Sequence, residues 1–303
     1  MNDGAGPAVE RRRLALELRR LRGEAHRTIH EVAQRLECSA GKVSRIETGA
    51  VGARVQDVRE MLDLYGIHGH RREALLELVR RSRRRAWWHN YTDVVPPDSA
   101  KFYGLEDGAV TIDEHRIVLV PGLLQTERYA RALIGAATDV PAEVIERRIA
   151  LRRQRKRLLD RPDPPRITVV LGEAALHEQI GGPWVLAEQL RYLVEVAARP
   201  NVAIRVRPYS AGAHPAAGVP FTVFGFADPA DPRVVYVELP TRNIHIETDG
   251  EVDSYVAAFA TARDGALSCP ESARFIAAAA DHLDRSPRQP SAQYPSAQYP
   301  SAT

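Results

Sequence analysis

The sequence sets two helix starts in quick succession, and these constrain the fold more than any other feature. Thr28-Ile-His-Glu31 is a capping box: the Thr28 hydroxyl can accept from the Glu31 amide while the Glu31 carboxylate reaches back to the Thr28 amide. Ser39 caps a second run, Ala40–Glu47. In the first helix Val32, Ala33 and Leu36 form the inner face, and the small Ala33 permits a close crossing. In the second, Val43 and Ile46 are the large apolar residues and must point inward. The opposite face is then Gly41, Ser44, Arg45 and Thr48, with Lys42 on its flank. Helices this short need neighbours to bury against. Leu14, Leu18 and Leu21 share one face of a preceding helix, expected from Glu10 to Ala25. Val58, Leu62 and Tyr65 give a fourth helix, and Leu75, Leu78 and Val79 a fifth.

Two short helices joined by a few residues, inside a basic bundle of four to five helices, form a helix-turn-helix between Thr28 and Glu47. Its second helix is expected to enter the major groove of double-stranded DNA. Arg45 then suits bidentate contact with guanine. Lys42 and Ser44 suit bases or phosphate, and Ser39 with the amides at Ala40 and Gly41 suits a phosphate at the helix N-terminus. Thr28 and Thr48 complete the expected DNA-binding set. A helical bundle that docks a protein is the competing reading of the same pattern.

Charge agrees with a polyanion partner. Residues 1–85 hold 19 Lys and Arg against 12 Asp and Glu, a balance of +7 within a net +3, so the remainder is mildly acidic at −4. Two cysteines in 303 residues, Cys38 and Cys269, fit no metal-ligand spacing. They point to a reducing, cytoplasmic setting, with a single disulfide as the alternative. The N-terminus has no apolar signal segment, and no stretch has the length of a transmembrane helix.

The expected organisation is α+β. Residues 1–9 read as a disordered lead, 10–85 as the all-α helix-turn-helix domain, 86–285 as a mixed α/β regulatory or partner-binding domain with a small sheet, and 286–303, where PSAQY recurs, as a disordered tail. Within the second domain, helices are expected at Pro141–Leu159, Pro183–Ala198, about 250–264 and about 270–284. Strands are expected at Ile167–Leu171, Val202–Arg207, Phe221–Phe226 and Val234–Leu239, the last two joined as a hairpin by the turn Asp228–Pro232.

The stretch Leu14–Gly49, through TIHEVAQRL and VSRIETG, resembles the XRE family of helix-turn-helix regulators, which includes phage repressors. The family commonly has glutamine where this chain has Ile29 and a turn glycine where it has Glu37. A left-handed Glu37 costs about 1 kcal/mol against glycine. The stretches WWHNYTDVVPP, VPGLLQTERYARALI, GEAALHEQIGGPWVLAEQLRYLVE and RPYSAGAHPAAGVPFTVFGFADPADPRVVYVE resemble the actinobacterial WhiJ-like, or antitoxin-like, group of XRE regulators. That resemblance implies a transcriptional regulator whose C-terminal domain binds a small partner protein encoded nearby, and a homodimer is expected. An antitoxin-like protein whose main role is sequestering that partner is the alternative.

Other constellations have two readings each. The arginines of Glu146–Leu159 form a second nucleic-acid surface or an ion-paired helix, with the second favoured. Trp87, Trp88, His89 and Tyr91 form a ligand cage or an anchor for the linker, again with the second favoured. Ser210–His214 lacks a nucleophile elbow and reads as a loop, as does His68-Gly-His70. No phosphate loop, dinucleotide fingerprint or metal cluster is present, so neither enzymatic activity nor a cofactor is expected.

Overall fold

The computed structural model describes residues 6–136, 140–228, 231–239 and 241–285. The expected tail, 286–303, and the first five residues of the lead lie outside the described residues.

Five helices form the N-terminal bundle: α1 (Pro7–Glu24), α2 (Ile29–Arg35), α3 (Ala40–Glu47), α4 (Val55–Leu64) and α5 (Gly69–Ser82). Leu14, Leu18 and Leu21 of α1 meet Val32, Val43, Ile46, Val58, Leu62 and Val79 in one core. The lead is shorter than expected, because α1 begins at Pro7 and not at Glu10. Proline at the first helical position gives up no hydrogen bond and brings a helical φ. Val9 is buried, which fixes the early start.

What buries it is α6 (Pro97–Gly108), the first helix after the linker. Gly104 and Gly108 lie one turn apart on α6. A Cβ at Gly104 would collide with the Ala8 methyl, and one at Gly108 with the Val9 side chain. The two glycines thus form the groove in which α1 sits, and this contact joins the bundle to the rest of the chain. In the linker, the single turn Trp87–Tyr91 buries Trp88, whose ring lies against the Gly104 position. The Trp87 indole donates to Asp107 at 3.1 Å.

The remainder is a six-stranded mixed sheet: β1 (Thr111–Arg116), β2 (Arg166–Gly172), β3 (Val202–Arg207), β4 (Phe221–Gly225), β5 (Val234–Glu238) and β6 (Asn243–Ile246), in the order β3-β2-β1-β4-β5-β6. β1, β2 and β3 are parallel, and β4, β5 and β6 continue antiparallel. The crossover from β1 to β2 carries α7 (Glu127–Gly135) and α8 (Ala142–Lys156), and that from β2 to β3 carries α9 (Pro183–Val196). α10 (Asp249–Asp264) and α11 (Cys269–Arg285) end the described chain. Successive β2 residues serve opposite faces, as strand geometry requires. Val169 and Leu171 pack with Leu186, Leu190 and Ile276 on the α9 and α11 side, while Val170 packs with Phe221, Val252 and Phe259 on the α10 side.

The fold is α+β, with a larger sheet than expected. The β4–β5 hairpin has the register Thr222↔Tyr236, Val223↔Val235 and Phe224↔Val234. β1 and β6 were not foreseen. β1 reads TIDEHR, too polar to announce a central strand. Its buried Glu114 pairs with Arg116 at 2.7 Å, and Arg116 bonds the Thr222 hydroxyl at 2.9 Å, so neighbours on the same sheet satisfy the polar groups.

Candidate nucleic-acid interface

Both expected caps form. The Thr28 hydroxyl accepts from the Glu31 amide at 3.2 Å, and the Glu31 carboxylate accepts from the Thr28 amide at 2.7 Å. Ser39 Oγ accepts from the Lys42 amide at 3.2 Å. Between the helices Glu37 has φ +50°, the left-handed conformation that glycine would occupy without a Cβ penalty.

On α3, Val43 and Ile46 are buried, and Gly41, Arg45 and Thr48 are exposed with Ser44 half-buried. The structure therefore brings Ser39, Gly41, Ser44, Arg45 and Thr48 to the outer side of the second helix. Thr28 is exposed at the start of α2. Two expected contacts are placed differently. Ala40 packs partly against the bundle core, because it occupies the first turn of α3 where the helix turns inward. Lys42 is held at 2.8 Å by Asp57 of α4, so its charge is already matched. The Thr48 hydroxyl donates back to the Ser44 carbonyl at 3.0 Å, leaving its lone pairs for a donor. A Cβ at Gly41 would make only ordinary contacts, 3.8 Å from Arg45 Nη1 and 4.0 Å from Ser39 Oγ.

The residue that sequence reasoning missed is Glu47. It is buried, and its carboxylate receives Arg22 Nε at 2.8 and 3.0 Å and Arg22 Nη2 at 2.9 Å. Arg22 Nη1 also donates to the Arg27 carbonyl at 3.0 Å. One guanidinium thus fastens the end of α1 to the end of α3 and to the entry of α2. Burial, helped by the nearby Glu47 charge, pushes the Tyr65 hydroxyl well above the usual phenol range. The signal was present: Glu47 lies four residues from Val43 and so shares its inner face.

A helix-turn-helix domain family matches residues 13–75. Residues 99–278 match the family described as domain of unknown function DUF5753. The chain belongs to the DUF5753 family. No curated protein and no solved structure matches it. The helix-turn-helix is of the XRE-like kind and marks a DNA-binding regulator.

Within the DUF5753 region the arginines of α8 are mostly engaged. Arg155 forms a buried pair with Glu106, at 2.9 and 2.7 Å, and lies over Phe102 and Tyr103. Burial works against its charge, but Glu106 outweighs burial and keeps the guanidinium protonated. Arg147 pairs with Asp93 at 2.9 Å, and Arg153 with Glu127. Arg152 bonds Gln125. Lys156 lies over the Tyr192 ring at 4.3 Å. Burial, with Arg155 beside it, pulls Arg152 down to about 10.

The loop containing Ser210 and His214 closes over the carboxyl end of β1. His214 meets the His115 ring edge-on at 5.3 Å, and His115 Nδ1 is 3.0 Å from the Val219 carbonyl. His68 and His70 are exposed. Among the described residues no group of three His, Cys, Asp or Glu is arranged to hold a metal, both cysteines are free, and no helix is long and apolar enough to cross a membrane.

Proposed function

We propose that the protein is a sequence-specific transcriptional regulator that reads double-stranded DNA with the outer face of α3, and that it is not an enzyme. The observation that carries this is Arg45. It stands exposed on a helix whose other side is fixed by Val43, Ile46 and Glu47, and it makes no ion pair among the described residues. A free guanidinium on a rigid helix is pre-organised for the two acceptors of guanine. Gly41 and Ser44 beside it are small enough to admit a base pair edge. Arg54 and Arg59, exposed and likewise without an ion pair among the described residues, suit flanking phosphates.

The reading includes a homodimer, in which the two α3 helices would lie in half-sites about one helical turn apart. The resemblance to the WhiJ-like, antitoxin-like group adds a small partner protein for the C-terminal domain. Sequestration of that partner, with DNA binding as one output, is the alternative within this reading. Gel-shift assays on the DNA upstream of the protein's own gene test the proposal. Wild-type chain should shift a two-fold repeat and Arg45→Ala should not, although its fold is intact. Equal shifts by both would remove Arg45 from the interface, and co-purification with the neighbouring small protein separates the two readings.

A further inference from the structure

A cavity of about 720 Å³ lies between the bundle and the sheet, within the size range of small-molecule sites. Arg11 and Arg12 of α1, with residues 48–50 after α3, form one wall. Arg84 of the linker forms the second, and Lys101 of α6 with Arg242 and Glu247 beside β6 the third. The charges are lopsided: five permanent cations face one carboxylate.

That carboxylate is already committed. Glu247 accepts from Arg12 Nε at 2.7 Å and from Lys101 Nζ at 2.7 Å. Burial alone would raise its pKa, but Lys101 and Arg12 hold the carboxyl below the usual range. Donors are left over. Arg12 is only 8% exposed, and its Nη1 and Nη2 are buried with no hydrogen-bond acceptor. Its guanidinium carbon also lies 5.4 Å from the centre of the Phe226 ring. Arg11 Nε is likewise buried without an acceptor. Neither Arg11 nor Arg242 makes an ion pair among the described residues. Buried, unanswered donors are rare in folded proteins because each forfeits its hydration. Here three such nitrogens belong to side chains that line one cavity of like charge.

We propose that this cavity binds a small, multiply charged anion bearing phosphate or carboxylate groups, held by Arg11, Arg12, Lys101 and Arg242. Guanidinium forks match both groups bidentately, and an anion would answer the surplus of positive charge that Glu247 leaves on the cavity wall. The ligand would tie α1 and the end of α3 to the edge of the sheet. Its occupancy therefore sets how rigidly α3 is presented, a consequence that rests on the reading of α3 as the DNA-binding helix.

The test uses the full chain without DNA, titrated calorimetrically with sodium pyrophosphate and with citrate against sodium chloride at equal ionic strength. At least one polyanion should bind and raise the melting temperature by several degrees, where chloride does not; which one succeeds separates phosphate from carboxylate chemistry. Arg11→Gln and Arg242→Gln remove unpaired cations, so the unliganded melting temperature should hold while affinity falls roughly tenfold in each. Stabilisation no greater than that by chloride, or affinity unchanged in both variants, would overturn the site. Displacement of pyrophosphate by a duplex of arbitrary sequence would assign the cations to the DNA backbone and overturn it too. DNA affinity is then measured separately with and without the bound anion. An unchanged value would overturn the regulatory consequence alone, and anion binding by a chain that binds no DNA would overturn the regulator reading instead.

Discussion

Helix α3 holds two cations and helix α8 holds six, yet on α8 three are matched by carboxylates. Arg148 of α8, without an ion pair among the described residues, is half-buried, whereas α3 presents Arg45 exposed and without an ion pair. On α8, Arg147, Arg153 and Arg155 face Asp93, Glu127 and Glu106, which come from three other parts of the chain. On α3, Lys42 is answered by Asp57, whereas Arg45 stands free among the described residues. The difference teaches that cation count is a poor guide to a nucleic-acid surface. What matters is whether the fold has already supplied the counter-charge. A paired arginine must give up its partner before it can neutralise a phosphate, and the DNA gains little from the exchange.

The largest test of the contrast is on α8. Glu106→Gln leaves Arg155 buried without its carboxylate and should cost about 3–5 kcal/mol in urea unfolding. An unchanged midpoint would mean that α8 is not anchored through this pair. Glu47→Gln in the bundle should cost about 2 kcal/mol, because Arg22 keeps some solvent and its bond to the Arg27 carbonyl. A loss as large as that of Glu106→Gln would show the two pairs to be equally buried in effect. Gly41→Ala should stabilise the free protein by up to about 1 kcal/mol, since a Cβ there meets nothing closely. If the outer face of α3 lies against base edges, the same change should weaken DNA binding, and improved binding would argue that α3 is not in the groove. The double variant Arg147→Gln, Arg153→Gln removes exposed pairs worth at most about 1 kcal/mol each and should leave DNA affinity and its salt dependence as they were.

The bundle was legible because its signals are local. Caps lie three residues from their partners, and apolar spacing announces each inner face. Even the left-handed residue at Glu37 could be anticipated from the turn it occupies. The sheet was legible where strands are apolar, as in β2 to β5, and lost where they are not. Glu114, His115 and Arg116 are too polar to mark a strand by themselves, and their partners Thr222 and Val219 lie some hundred residues away in sequence. α6 hid behind Pro97 and two glycines whose purpose is contact with α1, and α1 began early because α6 was there to cover Val9. The candidate site divides in the same way. The exposed face of α3 followed from Val43 and Ile46, but the commitment of Lys42 to Asp57 and of Glu47 to Arg22 depends on how separate helices pack.

The central claim is that Arg45, and not the arginines of α8, carries sequence discrimination. Fluorescence anisotropy tests it most directly, with a duplex that the protein itself recovers from genomic DNA and a scrambled duplex of equal length. The ratio of the two affinities should fall roughly 10- to 100-fold in Arg45→Ala, the equivalent of about 1–3 kcal/mol for one bidentate base contact. It should remain at the wild-type value in the Arg147→Gln, Arg153→Gln variant. A ratio preserved in Arg45→Ala and lost in the α8 variant would contradict the account.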